Sequence, residues 1–208
     1  MPQVVNLKLY NQSNDKNNSQ IVIFQKNVAT DFDELSIAWR VIQNLGRGNY
    51  HPFTYSLALD VSANDSWNNF TPTFDASPGE LWDMSLTSSG NELQLSTSPA
   101  TSPEEVQVRN ALPQGAIDAN VFRDNLLLAT KTSIAPGQKA VFKFKPTIFI
   151  GVASQIQQGK VMDSAIISDI NTEISLLGIK SADIVMSGGG PGTGSTPFHF
   201  TLQNVTRL

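Results

Sequence analysis

The segment Asn64-Asp65-Ser66-Trp67-Asn68-Asn69-Phe70, with Asp60 before it and Asp75 after it, gathers the side chains of this chain best suited to ligand chemistry. An indole offers a flat apolar face for the C–H side of a sugar ring, and amides bond hydroxyls as donor or acceptor. That is the chemistry of a carbohydrate-binding loop, with Asp60, Asn64, Asp65, Trp67, Asn68, Asn69 and Phe70 as candidate ligand residues. The same carboxylates and amides are oxygen donors of the kind Ca²⁺ collects, although their spacing is not that of an EF-hand loop. Asn and Asp are equally the residues of ordinary turns. Tyr50, Trp67, Phe70 and Trp82 are equally what a sandwich core and its rim contain.

Other constellations carry less. Two His, His51 and His199, flank two similar Pro-Phe stretches, so adjacent strands could bring them together, but two imidazoles alone leave a metal under-coordinated. The run Ser187-Gly188-Gly189-Gly190-Pro191-Gly192-Thr193-Gly194-Ser195-Thr196 lacks the Lys and the following helix of a phosphate loop, and reads as a flexible strand-to-strand connection. No Gly-x-Ser-x-Gly nucleophile motif is present, and no particular pair among the eighteen acids is marked as a glycosidase pair. The absence of Cys excludes thiolate sites, Fe–S clusters and disulfides. The chain is therefore expected to be non-enzymatic, with no catalytic residues, no cofactor and no metal.

Composition narrows the partners. The charged share is 15% and the net charge −4, with no Lys/Arg cluster, so neither nucleic acid nor an anionic membrane finds a basic footprint. Low charge and amide-rich strands favour self-association, so a homo-oligomer or larger assembly is the expected partner, with carbohydrate as the alternative. Met1-Pro2-Gln3-Val4-Val5 has neither the basic nor the apolar region of a cleaved signal, which predicts a cytoplasmic protein or one released without such a signal.

Strands must position these residues. Short apolar or alternating runs bounded by Gly, Pro, Asn and Asp predict strands over 4–10, 20–26, 54–61, 81–86, 92–96, 106–110, 117–122, 126–132, 139–145, 148–153, 174–179, 183–186 and 198–203. Residues 30–45 fit both a helix and a short turn followed by a strand, and the second is favoured. Helix potential over 155–159 and 165–171 is read as connections. No βαβ alternation occurs. The expected fold is all-β, an antiparallel two-sheet β-sandwich forming a single domain over 1–208.

Two internal echoes point to a duplicated Greek-key or jelly-roll arrangement. Asp65 precedes Pro78-Gly79-Glu80 at nearly the spacing at which Asp124 precedes Pro136-Gly137-Gln138, each Pro-Gly predicting a type II turn. Pro52-Phe53-Thr54-Tyr55-Ser56-Leu57 resembles Pro197-Phe198-His199-Phe200-Thr201-Leu202.

The order Leu9-Tyr10-Asn11-Gln12-Ser13, Asn18, Ile23-Phe24-Gln25 and Leu35-Ser36-Ile37-Ala38-Trp39 resembles the rhizosphere-expressed protein A family of small bacterial β proteins over residues 5–60. After Trp39 this chain has Arg40-Val41-Ile42 where that pattern has an aromatic. The resemblance implies an abundant soluble β protein of undefined biochemical role, with no catalytic residues to carry over. The function expected from sequence is thus that of a non-enzymatic structural or self-assembling β-sandwich protein of undefined biochemical role, the alternative being a carbohydrate-binding module or lectin that uses the 64–70 loop.

Overall fold

The computed structural model describes residues 3–29, 36–170 and 172–208. Its strands are β1 (Val4–Asn11), β2 (Gln20–Phe24), β3 (Arg40–Ile42), β4 (Tyr50–Ser56), β5 (Leu59–Asp65), β6 (Phe74–Ala76), β7 (Glu80–Thr87) and β8 (Gly90–Pro99), then β9 (Val106–Asn110), β10 (Ile117–Arg123), β11 (Leu126–Ile134), β12 (Lys139–Phe142), β13 (Thr147–Ala153), β14 (Thr172–Ser175), β15 (Ile179–Gly189) and β16 (Thr196–Arg207). A short helix, α1 (Ser164–Asp169), lies in the connection read as helix-prone. No helix among the described residues is long and apolar enough to cross a membrane. The helix-or-strand segment resolves in its described part to β3; residues 30–35 lie outside the described residues.

Where the sequence was read as one domain over 1–208, the chain divides into two compact units. The first comprises Met1–Gln25, Leu35–Leu57 and Pro146–Leu208, the second Lys26–Glu34 and Ala58–Lys145. The first holds the sheets β16-β15-β1-β4 and β14-β13-β2-β3; the second holds β11-β10-β5-β6 and β12-β9-β7-β8. Each unit is thus coarsely a two-sheet β-sandwich.

In the first unit β1 alternates cleanly, with Val5, Leu7 and Leu9 inward and Val4, Asn6 and Lys8 outward. Opposite them Ile21, Ile23, Ile148 and Ile150 complete the core. Buried Trp39 meets Tyr55 edge-on at 6.0 Å, and buried Gln25 donates to the Tyr55 hydroxyl at 3.0 Å and to the Thr147 carbonyl at 2.7 Å. Strand β2 is apolar on both faces because Val22 and Phe24 are covered from outside by Ile156, Met162 and Ile170 of the connection carrying α1. Its counterpart in the second unit, β10, has no such cover among the described residues and alternates: Ile117, Ala119 and Val121 inward, Asp118 and Asn120 outward. There a bidentate Arg109–Asp83 pair, at 2.7 and 2.8 Å, joins neighbouring strands β9 and β7.

The strand pairings of the two units correspond one to one. The parallel pair β1–β15 answers to β9–β7. The antiparallel pairs β1–β4, β15–β16, β2–β13, β2–β3 and β13–β14 answer to β9–β12, β7–β8, β10–β5, β10–β11 and β5–β6. Two corrections follow. The sheets are not antiparallel throughout: β1 with β15 and β7 with β9 run parallel, since neither pair is joined by a direct hairpin that would set the opposite direction. The sequence echoes joined β4 with β16 and β7 with β12, whereas the pairings match β4 with β12, β16 with β8 and β7 with β15. The turns themselves fit: Gly79 and Gly137 have φ of 93° and 80°, and Glu80 and Gln138 close back on Ser77 and Ala135 at 3.1 and 3.0 Å.

Candidate ligand-binding site

Strand β5 ends at Asp65, and the chain returns to the sheet through a bridge between Asn64 and Phe70. Asp65 is 3% exposed and organises everything between. Its carboxylate accepts from the Trp67 N–H at 2.9 Å, the Asn69 N–H at 3.0 Å, the Asn69 amide at 3.1 Å and the Asn91 amide at 2.9 Å. Burial alone would raise the Asp65 carboxyl; these bonds from Asn69, Asn91 and Trp67 outweigh it and hold it below the usual carboxylate range. Both oxygens are thereby committed to shaping the loop. Asn68 takes the left-handed conformation at φ 63°, as Asn does more readily than most residues.

The outcome of that wiring is an indole held outward. Trp67 is 60% exposed, and a Cβ placed on Gly115 would come within 3.7 Å of its ring, so the Gly115 backbone backs it closely. Beside it opens a cleft of about 580 Å³ with Leu86, Leu112 and Pro113 as apolar walls and Asn69, Asn91 and Gln114 as amides. Apart from the committed Asp65, its lining carries no charge. A second cleft, about 560 Å³, shares Asn91 and is lined by Phe70, Phe74, Trp82, Gln94 and Leu95. Trp82, 7% exposed, stacks on Phe74 at 5.4 Å, and its buried indole N–H has no hydrogen-bond partner there.

The structure sorts the sequence candidates. It brings Asp65, Trp67 and Asn69 to one cleft and Phe70 to the other. Asn68 is exposed on the same loop. Asn64 turns to the outer face of its sheet, donating to Asp118 at 3.1 Å and accepting from Asn120 at 3.2 Å. Asp60 does not belong to the loop: five residues back along β5, it sits roughly 17 Å away by strand rise and pairs across the sheet with Asp75. Trp82 is core, and Tyr50 lies in the first unit, its ring tilted against that of Tyr10 at 5.2 Å. His51 and His199 are not brought together, since β4 and β16 are opposite edges of one sheet. Burial, then the Arg40 charge, lowers His51. Sequence reasoning missed Leu86, Asn91, Leu112 and Gln114, which reach the cleft only through the long-range pairing of β7 with β9.

Asp60 makes a separate prediction. Burial, the hydrogen bond with Asp75, and the charges of Asp75 and Asp124 push its carboxyl up. A raised folded value means this group's stabilising contribution is present below its unfolded value and lost as pH rises through the folded one. Asp60→Asn should therefore raise the urea midpoint at pH 7 and flatten its decline above about pH 4. An unchanged midpoint and slope would show that the three carboxylates do not repel.

Among the described residues no group of three His, Cys, Asp or Glu is placed to hold a metal ion. Compared with protein-family models, curated proteins and solved structures, the chain matches none of them.

Proposed function

We propose that this chain is a non-enzymatic binding protein whose second unit takes a neutral glycan in the Trp67 cleft. The observation that carries this reading is an outward indole on a loop whose backbone is held by a buried carboxylate, above a cleft whose other polar groups are uncharged amides and a hydroxyl. Because Asp65 already holds the Trp67 backbone, the loop loses less ordering entropy on binding than a free segment would. Neutral amides match hydroxyls, and the absence of Lys or Arg from the lining argues against an acidic ligand. Because Asn91 lines both clefts, the surface continues from Trp67 to Phe70 and Phe74, a length suited to an oligosaccharide rather than one ring.

A glycan array followed by titration on Trp fluorescence tests the reading. Trp67→Ala should cost tenfold or more in affinity, about 1.4 kcal/mol, while shifting stability by less than about 0.5 kcal/mol, as exposed substitutions do. Array silence for the intact chain, or binding unchanged in Trp67→Ala, would overturn it.

Self-association is a second reading, favoured by β16. This edge strand runs from Thr196 to Arg207, its last residues are exposed on both faces, and it carries Pro only near its start and no Lys. The exposed second half of such a long edge leaves backbone groups open to pairing with another strand. The duplicated arrangement expected from sequence belongs to the same proposal, supported by the matching strand pairings of the two units.

A further inference from the structure

We infer that β1–β8 and β9–β16 are tandem copies of one strand set that have exchanged their second halves, and that the terminal blocks β1–β4 and β13–β16 let one chain join a second copy of itself by the same exchange. This rests on the duplicated reading.

The correspondence extends to atoms. Buried Asn11 ends β1 as buried Asn110 ends β9. Each side-chain oxygen accepts the N–H two residues on, from Ser13 at 2.9 Å and Leu112 at 3.0 Å. Each amide donates to the end of the next hairpin, at Leu45 (2.6 Å) and Ile134 (2.8 Å). Each backbone carbonyl accepts from a turn glycine, Gly48 at 2.7 Å and Gly137 at 2.8 Å. The following residues, Gln12 and Ala111, donate to Met186 and Met84 at 2.8 and 2.9 Å. Sheets of unrelated origin would have no reason to repeat a buried Asn with the same set of partners.

The connections explain the exchange. Residues 57–58 join β4 to β5, and residues 143–146 join β12 to β13. By the pairing correspondence, β4 and β5 within one unit would be the edge of one sheet and an inner strand of the facing sheet. From Ser56 to Leu59 the chain reaches at most about 11 Å, hardly more than the roughly 10 Å between facing sheets, with nothing left to reverse direction. Residues 100–105 between β8 and β9 suffice to cross one strand within a sheet, so β5–β8 closes on β9–β12. That leaves β1–β4 and β13–β16 at the two ends of the chain, each the complement of the other. They pair within the chain here. The same pairs formed reciprocally between two chains need no new contact, which is the low-cost route to a dimer through a short hinge.

The test uses the full chain, whose lack of Cys makes introduced thiols unambiguous. Asn6 and Ser181 are register partners on β1 and β15. The double variant Asn6→Cys/Ser181→Cys, treated with a short bismaleimide, should link within the chain. Asn6→Cys and Ser181→Cys chains unfolded together and refolded at ~100 μM should give a covalent dimer of twice 22.6 kDa, falling steeply at ~1 μM because intrachain closure has the higher effective concentration. The same chains mixed after folding should give none, as should Asn6→Cys co-refolded with Ser88→Cys. A linked double variant with no dimer from co-refolding, or equal dimer with Ser88→Cys, overturns the exchange between chains. An unlinked double variant overturns the duplicated pairing itself.

Discussion

Asp65→Ala is expected to cost about 2–4 kcal/mol and to abolish ligand binding, although the residue is buried and need touch no ligand. The magnitude follows from what is stranded: two backbone N–H groups and two amides lose their acceptor, and an unpaired buried donor costs roughly 1–3 kcal/mol, less where water can reach it. Binding goes with it because the indole then has many orientations. The effect depends on pH with a definite sign. A carboxyl held below its unfolded value contributes stability above that value, about 3.9, and loses it as pH falls through the folded one. Urea midpoints of the intact chain and of Asp65→Ala should therefore differ at pH 7 and converge toward pH 2. Asp65→Asn, which keeps one acceptor, should fall between them. Equal midpoints at pH 7, or a ligand bound as tightly by Asp65→Ala, would show that the loop is held by other means.

Asp65 and Asp60 mark the line between what was legible in the chain and what was not. Trp67 among Asn and Asp announced a loop with a flat apolar face, because residue types alone suffice for that inference. Nothing local distinguished Asp65, which shapes the loop, from Asp60, which faces Asp75. Strands were legible wherever one face meets solvent, as in β1 and β10, since the period of two is visible in the sequence. Residues 54–61 read as one strand, yet β4 ends at Ser56 and β5 begins at Leu59 in the other unit. Alternation reports that a strand has an inner face and says nothing about which core it faces. For the same reason the echoes misled: Pro52-Phe53 and Pro197-Phe198 resemble each other as edge-strand starts, while β4 and β12, which hold corresponding edge positions in the two units, share no such likeness.

The glycine run between β15 and β16 leads to the sharpest contrast between substitutions. Read as a flexible connection, it instead begins within β15, which takes in Ser187, Gly188 and Gly189, and the Gly188 carbonyl accepts from the Asn14 N–H at 2.7 Å. Gly188 has φ 82°, and a Cβ there would lie 2.0 Å from the Pro197 oxygen and 3.0 Å from its carbonyl carbon, both backbone. Gly137 has nearly the same φ, 80°, but open space around it. Gly137→Ala should thus cost only the left-handed penalty, about 1 kcal/mol. Gly188→Ala carries that penalty and also forces β15 and β16 apart, which places it among the severe substitutions at about 4 kcal/mol or more. The damage should be confined: hydrogen exchange should show protection lost in β15 and β16 of the first unit and retained across β5–β12, which form the second. Urea midpoints for the two alanine variants give the ranking, and equal losses would mean that the β15–β16 connection yields without strain and that the glycines there serve flexibility after all.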